Sequence, residues 1–441
     1  MMKAVQITSY DGPLGTLEYG ETSDPTPAAG QIAINVHYAG ASYVEALFAG
    51  GFVPTIPVPW VPGLEASGTV RAHGEGVTEH DGLEIGTPVA AFTVTDSGGY
   101  GQIAVTNAHL VAPIPEGLDA ATAAAVPANT TAALIALERL AQVQSGQSVL
   151  VQAAAGGLGS QLGQVARYLG ASRVVGVVGS EQKRHAALEL GYDEVILRDD
   201  LAEQEPDQFD IIVDPVGGPT RARCVDLLRV GGRLLVVGDA AQAGDQLISS
   251  NDLWLGGKSV MGFNLGALTA AQPELVGTYL RCALQLVADG EVKVQVTEVV
   301  PITQAPSVLA RLRAGSTVGK TVLNTKRYSD ALIVIPSLPA LNQLGGRESR
   351  VIDGAYSVAS QSLSVVGSVR SAGSGINPPL AIAEPRYGSC HTSLGCLPPI
   401  SPRAARIRFT NSAAVPSSAP RIEITPESGI FICPSAISQA N

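Results

Sequence analysis

A chain of 441 residues has room for two or three domains with separate cores, and 45% hydrophobic against 15% charged residues supplies enough apolar surface to order most of it. A formal net charge of −11 argues against wrapping a polyanion, because nucleic-acid binding rests on clustered Lys and Arg, so neither DNA nor RNA is an expected partner. The start "MMKAVQITSYDGP" has no apolar run after its lysine and about 18 uncharged apolar residues stand together nowhere, so no secretory signal and no membrane span is expected and the chain reads as cytoplasmic.

Residues 1 to about 125 are punctuated by Gly and Pro, with short β-like runs at "KAVQIT", "QIAINVHYAG", "ASGTVRAHG", "TPVAAFT" and "YGQIAV". They predict a mainly β domain. From about 126 the rhythm becomes strand, helix, strand. Strands are expected at "SVLVQAA", "RVVGVVG", "DEVILR", "FDIIVDPVG", "RLLVVGD" and "SVMGFN", with helices at "LGSQLGQVARYLG", "SEQKRHAALELG" and "PTRARCVDLLRVG". Apolar strands alternating with amphipathic helices imply a doubly wound parallel sheet covered on both faces. Residues 273 to 325 add helices at "PELVGTYLRCALQLVADG" and "APSVLARLRAG" and a closing strand "GKTVLN".

Beyond Lys326 the character changes: residues 327–441 are rich in Ser, Pro and Ala and hold nine Arg and six acidic residues but no Lys. The remaining nineteen cationic and thirty-three acidic residues leave the first part at −14. This low-complexity tail is expected to be a disordered appendage or a reading-frame artefact of a GC-rich gene. Its Cys390, Cys396 and Cys433, with His391, match no common zinc spacing, and Cys224 and Cys282 read as small buried hydrophobes rather than a disulfide framework.

The stretch "VQAAAGGLGS" supplies strand, glycine turn and helix in the order that holds a pyrophosphate, with backbone N–H groups aimed at the anion. Against G-x-G-x-x-G, Ala154 replaces the first glycine, Gly156 and Gly159 fit, and Gly157 is extra. A tight helix–strand crossing would also want small residues here. At the end of the next strand Gly179 and Ser180 stand where an NAD site carries an acid for the ribose hydroxyl, and Lys183 and Arg184 follow within a helical turn, so NADPH is the expected cofactor despite Glu181.

The motifs "VPWVPGLEASGTV", "SGGYGQIAV", "VLVQAAAGGLGSQLGQVARYLGA", "GSEQKRHAALELG" and "GKTVLN" resemble the medium-chain dehydrogenase/reductase superfamily, and within it the zinc-independent quinone oxidoreductases. The resemblance implies a GroES-like catalytic domain over 1–125, completed by 266–325, around a Rossmann domain over 126–265. Gly156, Gly157, Leu158 and Gly159 fall on its pyrophosphate turn, Ser180 and Lys183 on the 2′-phosphate subsite, and Arg198 where the family often has a Tyr over the adenosine phosphate. Thr131 and Gly238 fall beside the nicotinamide. Zinc alcohol dehydrogenases carry a Cys near Ser42 and a His where Leu64 stands, and no cysteine precedes Cys224, so no metal is expected.

The family's G-x-N-x-x-D-x-Y segment reads "GASYVEALF", placing Ser42 and Glu45 as catalytic candidates while Leu47 replaces the Tyr. Tyr43, read on a strand or loop, is expected to face away and pack. The resemblance implies NADPH-dependent reduction of a small-molecule quinone or α,β-unsaturated carbonyl compound. The alternatives are an enoyl reductase of secondary metabolism and an NADPH-binding protein of reduced activity. A homodimer paired through "SVMGFN" is also implied.

Overall fold

The computed structural model describes residues 1–77, 82–93 and 98–325; the tail over 327–441 with its cysteines lies outside them. β1 (Met2–Ser9) buries Met2, Ala4, Val5 and Ile7 and pairs antiparallel with β2 (Thr16–Thr22). β3 (Gln31–Ala41) is followed at once by a short helix α1 (Tyr43–Ala49), and β4 (Glu65–His73), β5 (Pro88–Phe92), β6 (Ile103–Asn107) and β7 (Val111–Pro113) complete the N-terminal run of strands. β3 is the spine: it pairs antiparallel with both β4 and β6, and β4, β5 and β7 continue the sheet outward.

α2 (Ala120–Ala123) and α3 (Asn129–Leu134), which runs on into a π-helical segment over Ile135–Leu140, lead to the second sheet. Its elements are β8 (Ser148–Gln152), α4 (Gly157–Tyr168), β9 (Arg173–Val178), α5 (Glu181–Glu189), β10 (Glu194–Leu197), β11 (Phe209–Asp214), α6 (Pro219–Leu227), β12 (Leu228–Val236), α7 (Ser250–Gly256) and β13 (Ser259–Gly262). All pairings are parallel in the order β10-β9-β8-β11-β12-β13. Strand order therefore reverses beside β8, and in such sheets ligands bind outside the carboxyl ends of the strands at that point. β8 is buried at every position, the reading of a strand covered on both faces.

After α8 (Leu265–Ala271) and α9 (Pro273–Ala288) the chain returns to the first sheet. β14 (Val296–Pro301), α10 (Ala305–Arg313) and β15 (Lys320–Asn324) follow, with β15 antiparallel to β3 and β14 parallel to β15. The GroES-like sheet thus takes strands from both ends of the described chain, and the Rossmann sheet lies between them in sequence.

Several expectations are corrected. The helix at "PTRARCVDLLRVG" stops at Leu227, because Leu228 opens β12 as the ladder partner of Phe209. β2 was not expected: its residues are mostly exposed and polar, which removes the hydrophobic alternation. The segment after Ser42 is a helix rather than a strand or loop, too short at seven residues for its period to show in sequence. Tyr43 consequently does not pack away; its hydroxyl donates to the Ala240 carbonyl at 2.7 Å, joining α1 to the loop after β12.

Candidate active site

β8 ends in a turn whose shape the protein's own atoms dictate. Ala153 adopts a left-handed backbone at φ 53°, costing about 1–2 kcal/mol for a residue with a Cβ. A Cβ on Gly159 would stand 2.2 Å from the Ala153 carbonyl oxygen, and one on Gly157 would stand 2.8 Å from Asn129 Nδ2 and 3.0 Å from Lys320 Cδ. These two glycines are required for close packing between the turn, α3 and β15. Gly156, the N-cap of α4, is freer: a Cβ there meets Ala153 O at 3.2 Å. Leu158 packs its side chain on the core, so its backbone N–H is what it can offer a phosphate.

β9 is followed by Gly179 and Ser180 rather than directly by a carboxylate. Gly179 and Ser180 are exposed, and the Arg198 guanidinium lies so close that a Cβ on Gly179 would meet Arg198 Nη2 at 3.0 Å. Lys183 is near enough that burial, and then Arg198, pull its pKa below the usual lysine range, and its Nζ also donates to the Gly315 carbonyl ahead of β15. Glu181 is paired with Arg184 at 3.0 Å. Two cations, Arg198 and Lys183, therefore lie close together beside the end of β9.

Thr131 on α3 is fully buried, and among the described residues its hydroxyl has no hydrogen-bond partner. Such a group costs about 1–3 kcal/mol unless something satisfies it. Gly238 is exposed after β12, and its carbonyl accepts from Arg221 Nη2 at 2.7 Å. Arg221 is in turn held by Asp214 at 2.7 Å, whose other oxygen accepts the N–H groups of Val216 and Gly217. Neither Asp214 nor Arg221 stood out in the sequence, although an acid ending the apolar strand "FDIIVD" was the available signal.

Ser42 and Glu45 lie together at the start of α1. Glu45 is completely buried; its Oε1 accepts the Leu64 N–H at 3.0 Å, its Oε2 accepts the Ser42 N–H at 2.8 Å, and the Ser42 hydroxyl lies on the same Oε2. Burial raises its pKa above the carboxylate range, against the Ser42 and Leu64 hydrogen bonds and the charge of Lys320. Beside it a pair unforeseen in the sequence joins Lys320 Nζ to Glu65 Oε1, with 2% and 0% side-chain exposure. Lys320 also donates to Ala41 O at 3.1 Å, and Glu65 Oε2 accepts the Ala128 N–H at the start of α3 at 2.7 Å. Since the stem of Lys320 rests against Gly157, this pair stands between the glycine turn and the Ser42–Glu45 group. The signal was a lone cation in the strand "KTVLN".

Leu64 presents a buried aliphatic side chain, Glu65 is already neutralised by Lys320, and among the described residues no three His, Cys, Asp or Glu groups come together to hold a metal. His73 bonds the Leu83 carbonyl at 2.6 Å and His109 faces Glu274 at 3.7 Å. Cys224 and Cys282 form no disulfide, and burial pushes the thiol of Cys224 up to about 12.

Residues 28–116 match the model of the alcohol dehydrogenase GroES-like domain, and residues 157–283 that of zinc-binding dehydrogenases. Rat quinone oxidoreductase is 29% identical over 293 residues, 65% of this chain and 87% of the relative. The chain is a quinone oxidoreductase-like member of the medium-chain dehydrogenase/reductase superfamily. The quinone oxidoreductase of Thermus thermophilus, whose structure was solved alone and with NADPH, superposes with a TM-score of 0.62 at 29% identity, covering 74% of this chain and all of that one. Phthioceranic/hydroxyphthioceranic acid synthase of Mycobacterium tuberculosis is 26% identical over 336 residues, 74% of this chain but only 15% of the synthase. This medium-chain dehydrogenase/reductase is thus a nicotinamide-dependent oxidoreductase acting on a small molecule. Among the described residues no helix is long and apolar enough to cross a membrane.

Proposed function

We propose that the chain is a cytoplasmic NADPH-dependent reductase that adds a hydride to a quinone or an α,β-unsaturated carbonyl compound without zinc. The observation that carries the cofactor choice is the meeting of Lys183 and Arg198 at Gly179, in a position where no carboxylate repels a 2′-phosphate. In this reading 1–125 with 266–325 form the catalytic domain and 126–265 the Rossmann domain. Gly156, Gly157, Leu158 and Gly159 offer backbone to the pyrophosphate, Ser180, Lys183 and Arg198 hold the 2′-phosphate, and Thr131 and Gly238 flank the nicotinamide. The cofactor supplies the hydride; the chain orients it against the substrate and stabilises charge on the substrate oxygen through Ser42. A conjugated acceptor needs no Lewis acid, which suits a site where Leu64 offers no ligand and the Glu65 carboxylate is already paired with Lys320.

The purified protein is expected to consume NADPH with a panel of quinones and enones, and to keep doing so after dialysis against a zinc chelator. NADPH binding without turnover of any acceptor would instead support an NADPH-binding protein of reduced activity. The similarity to the mycobacterial synthase favours enoyl reduction as a second reading; mass spectrometry of the product separates saturation of a C=C bond from conversion of quinone to hydroquinone.

A homodimer belongs to the same reading. β13 lies at the edge of its sheet, and the segment before it exposes Leu247, Trp254 and Leu255 at 96, 77 and 74%. An unpaired edge beside such apolar surface invites a second copy. Light scattering is expected to give twice the chain mass, and Trp254→Lys to return it to one.

A further inference from the structure

Resting on the reductase reading, the arrangement around Glu45 also answers where the proton comes from. A glutamate three residues after a helix N-cap is ordinarily a solvated cap. Here the carboxyl is sealed: Leu64 N–H on Oε1, Ser42 N–H on Oε2, and half-buried Ser42 as the hydroxyl between it and the outside. The charged and titratable groups facing it are Glu65 from β4, which disfavours its ionisation, and Lys320 from β15, which favours it. Tyr100 also faces it, a fully buried phenol with no hydrogen-bond partner among the described residues, held neutral by burial and the two glutamates.

We propose that Glu45 is the proton source of the reduction: as a neutral acid it donates from Oε2 to Ser42 Oγ, which frees the Ser42 O–H to donate to the substrate oxygen. The two protonation states set opposite directions for Ser42. Opposite an ionised Glu45 its hydroxyl must donate inward, and its lone pairs then face the carbonyl and repel it. When the acceptor carbon takes the hydride, a C–H bond forms and the conjugated π pair moves to the carbonyl oxygen. That oxygen takes the Ser42 proton while Ser42 Oγ takes the Glu45 proton. The substrate has gained a hydride and a proton, the dinucleotide leaves oxidised, and solvent reprotonates the Glu45 carboxylate after product departs.

Glu45→Gln keeps the size of the side chain and can still accept the Leu64 N–H, but it has no proton to give. Its kcat is expected to fall about 100-fold, in the range of general acid catalysis, with cofactor KM held within about twofold. The fall of wild-type kcat with rising pH should vanish in the variant. Ser42→Ala keeps the Glu45 carboxyl but removes the hydroxyl that passes its proton on, so it should lose a similar factor, and the two losses should not multiply in the double variant. Wild-type kcat and pH profile in Glu45→Gln would overturn the relay while leaving the reductase reading standing. A readout independent of turnover is infrared spectroscopy of the wild-type protein at neutral pH: the C=O stretch of a neutral carboxylic acid, missing from Glu45→Gln, is expected, and its absence overturns the proposal whatever the substrate.

Discussion

Lys320→Met is expected to lower unfolding free energy by about 3–5 kcal/mol, the usual result of leaving a buried charge without its partner. The partner is Glu65, with 0% side-chain exposure, and removing the ammonium strands its carboxylate among residues that give it one remaining N–H, from Ala128. Urea denaturation measures the loss. The double variant Glu65→Leu/Lys320→Met is expected to recover part of it, because the unpaired charge goes. Recovery is incomplete, since the Ala41 carbonyl and Ala128 N–H each lose a bond at about 1–3 kcal/mol. Methionine keeps an unbranched stem against Gly157 and alanine does not, so Lys320→Ala should weaken NADPH binding beyond Lys320→Met. Equal cofactor affinities in the two variants would show that the stem does not support the turn.

This pair also marks the limit of what the sequence displays. The Rossmann half was legible because each of its strands is a short apolar run bounded by turn residues, and order in the sheet follows from parallel crossovers. The glycine turn was legible too, but its reason was only partly so. A sequence cannot say that Gly157 makes way for Lys320, far along the chain, while Gly156 faces more open space. Likewise, Glu65 and Lys320 meet only because β15 closes the sheet on β3, next to β4. α1 was missed because seven residues hold barely two turns, and with it went the orientation of Tyr43. Ser42 and Glu45 are named by the resemblance, whereas the burial of Glu45 and its bond to the Leu64 backbone depend on residues far from it in sequence.

Loss of NADPH preference is expected when Lys183 and Arg198 are both replaced by alanine. A hydrogen bond to a charged group is worth about 1.5–3 kcal/mol, so each cation should account for roughly 10- to 100-fold in NADPH affinity at low ionic strength, with NADH affinity nearly unchanged. Fluorescence titration of the two dinucleotides against wild type and the single and double variants measures this directly. The two cations are not equivalent. Arg198 is charged at any working pH, whereas Lys183, its pKa drawn down by burial and then by Arg198, loses its proton at lower pH than an ordinary lysine. The wild-type preference for NADPH should therefore weaken on the alkaline side, and Arg198→Ala should move that weakening to higher pH by removing the repulsion. Lys183 also holds the Gly315 carbonyl ahead of β15, so its replacement frees that loop as well as the subsite. An effect through the loop would reach both dinucleotides, since both share the turn and the nicotinamide pocket. Equal losses for NADH and NADPH would thus assign Lys183 to the loop, and a loss confined to NADPH assigns it to the 2′-phosphate.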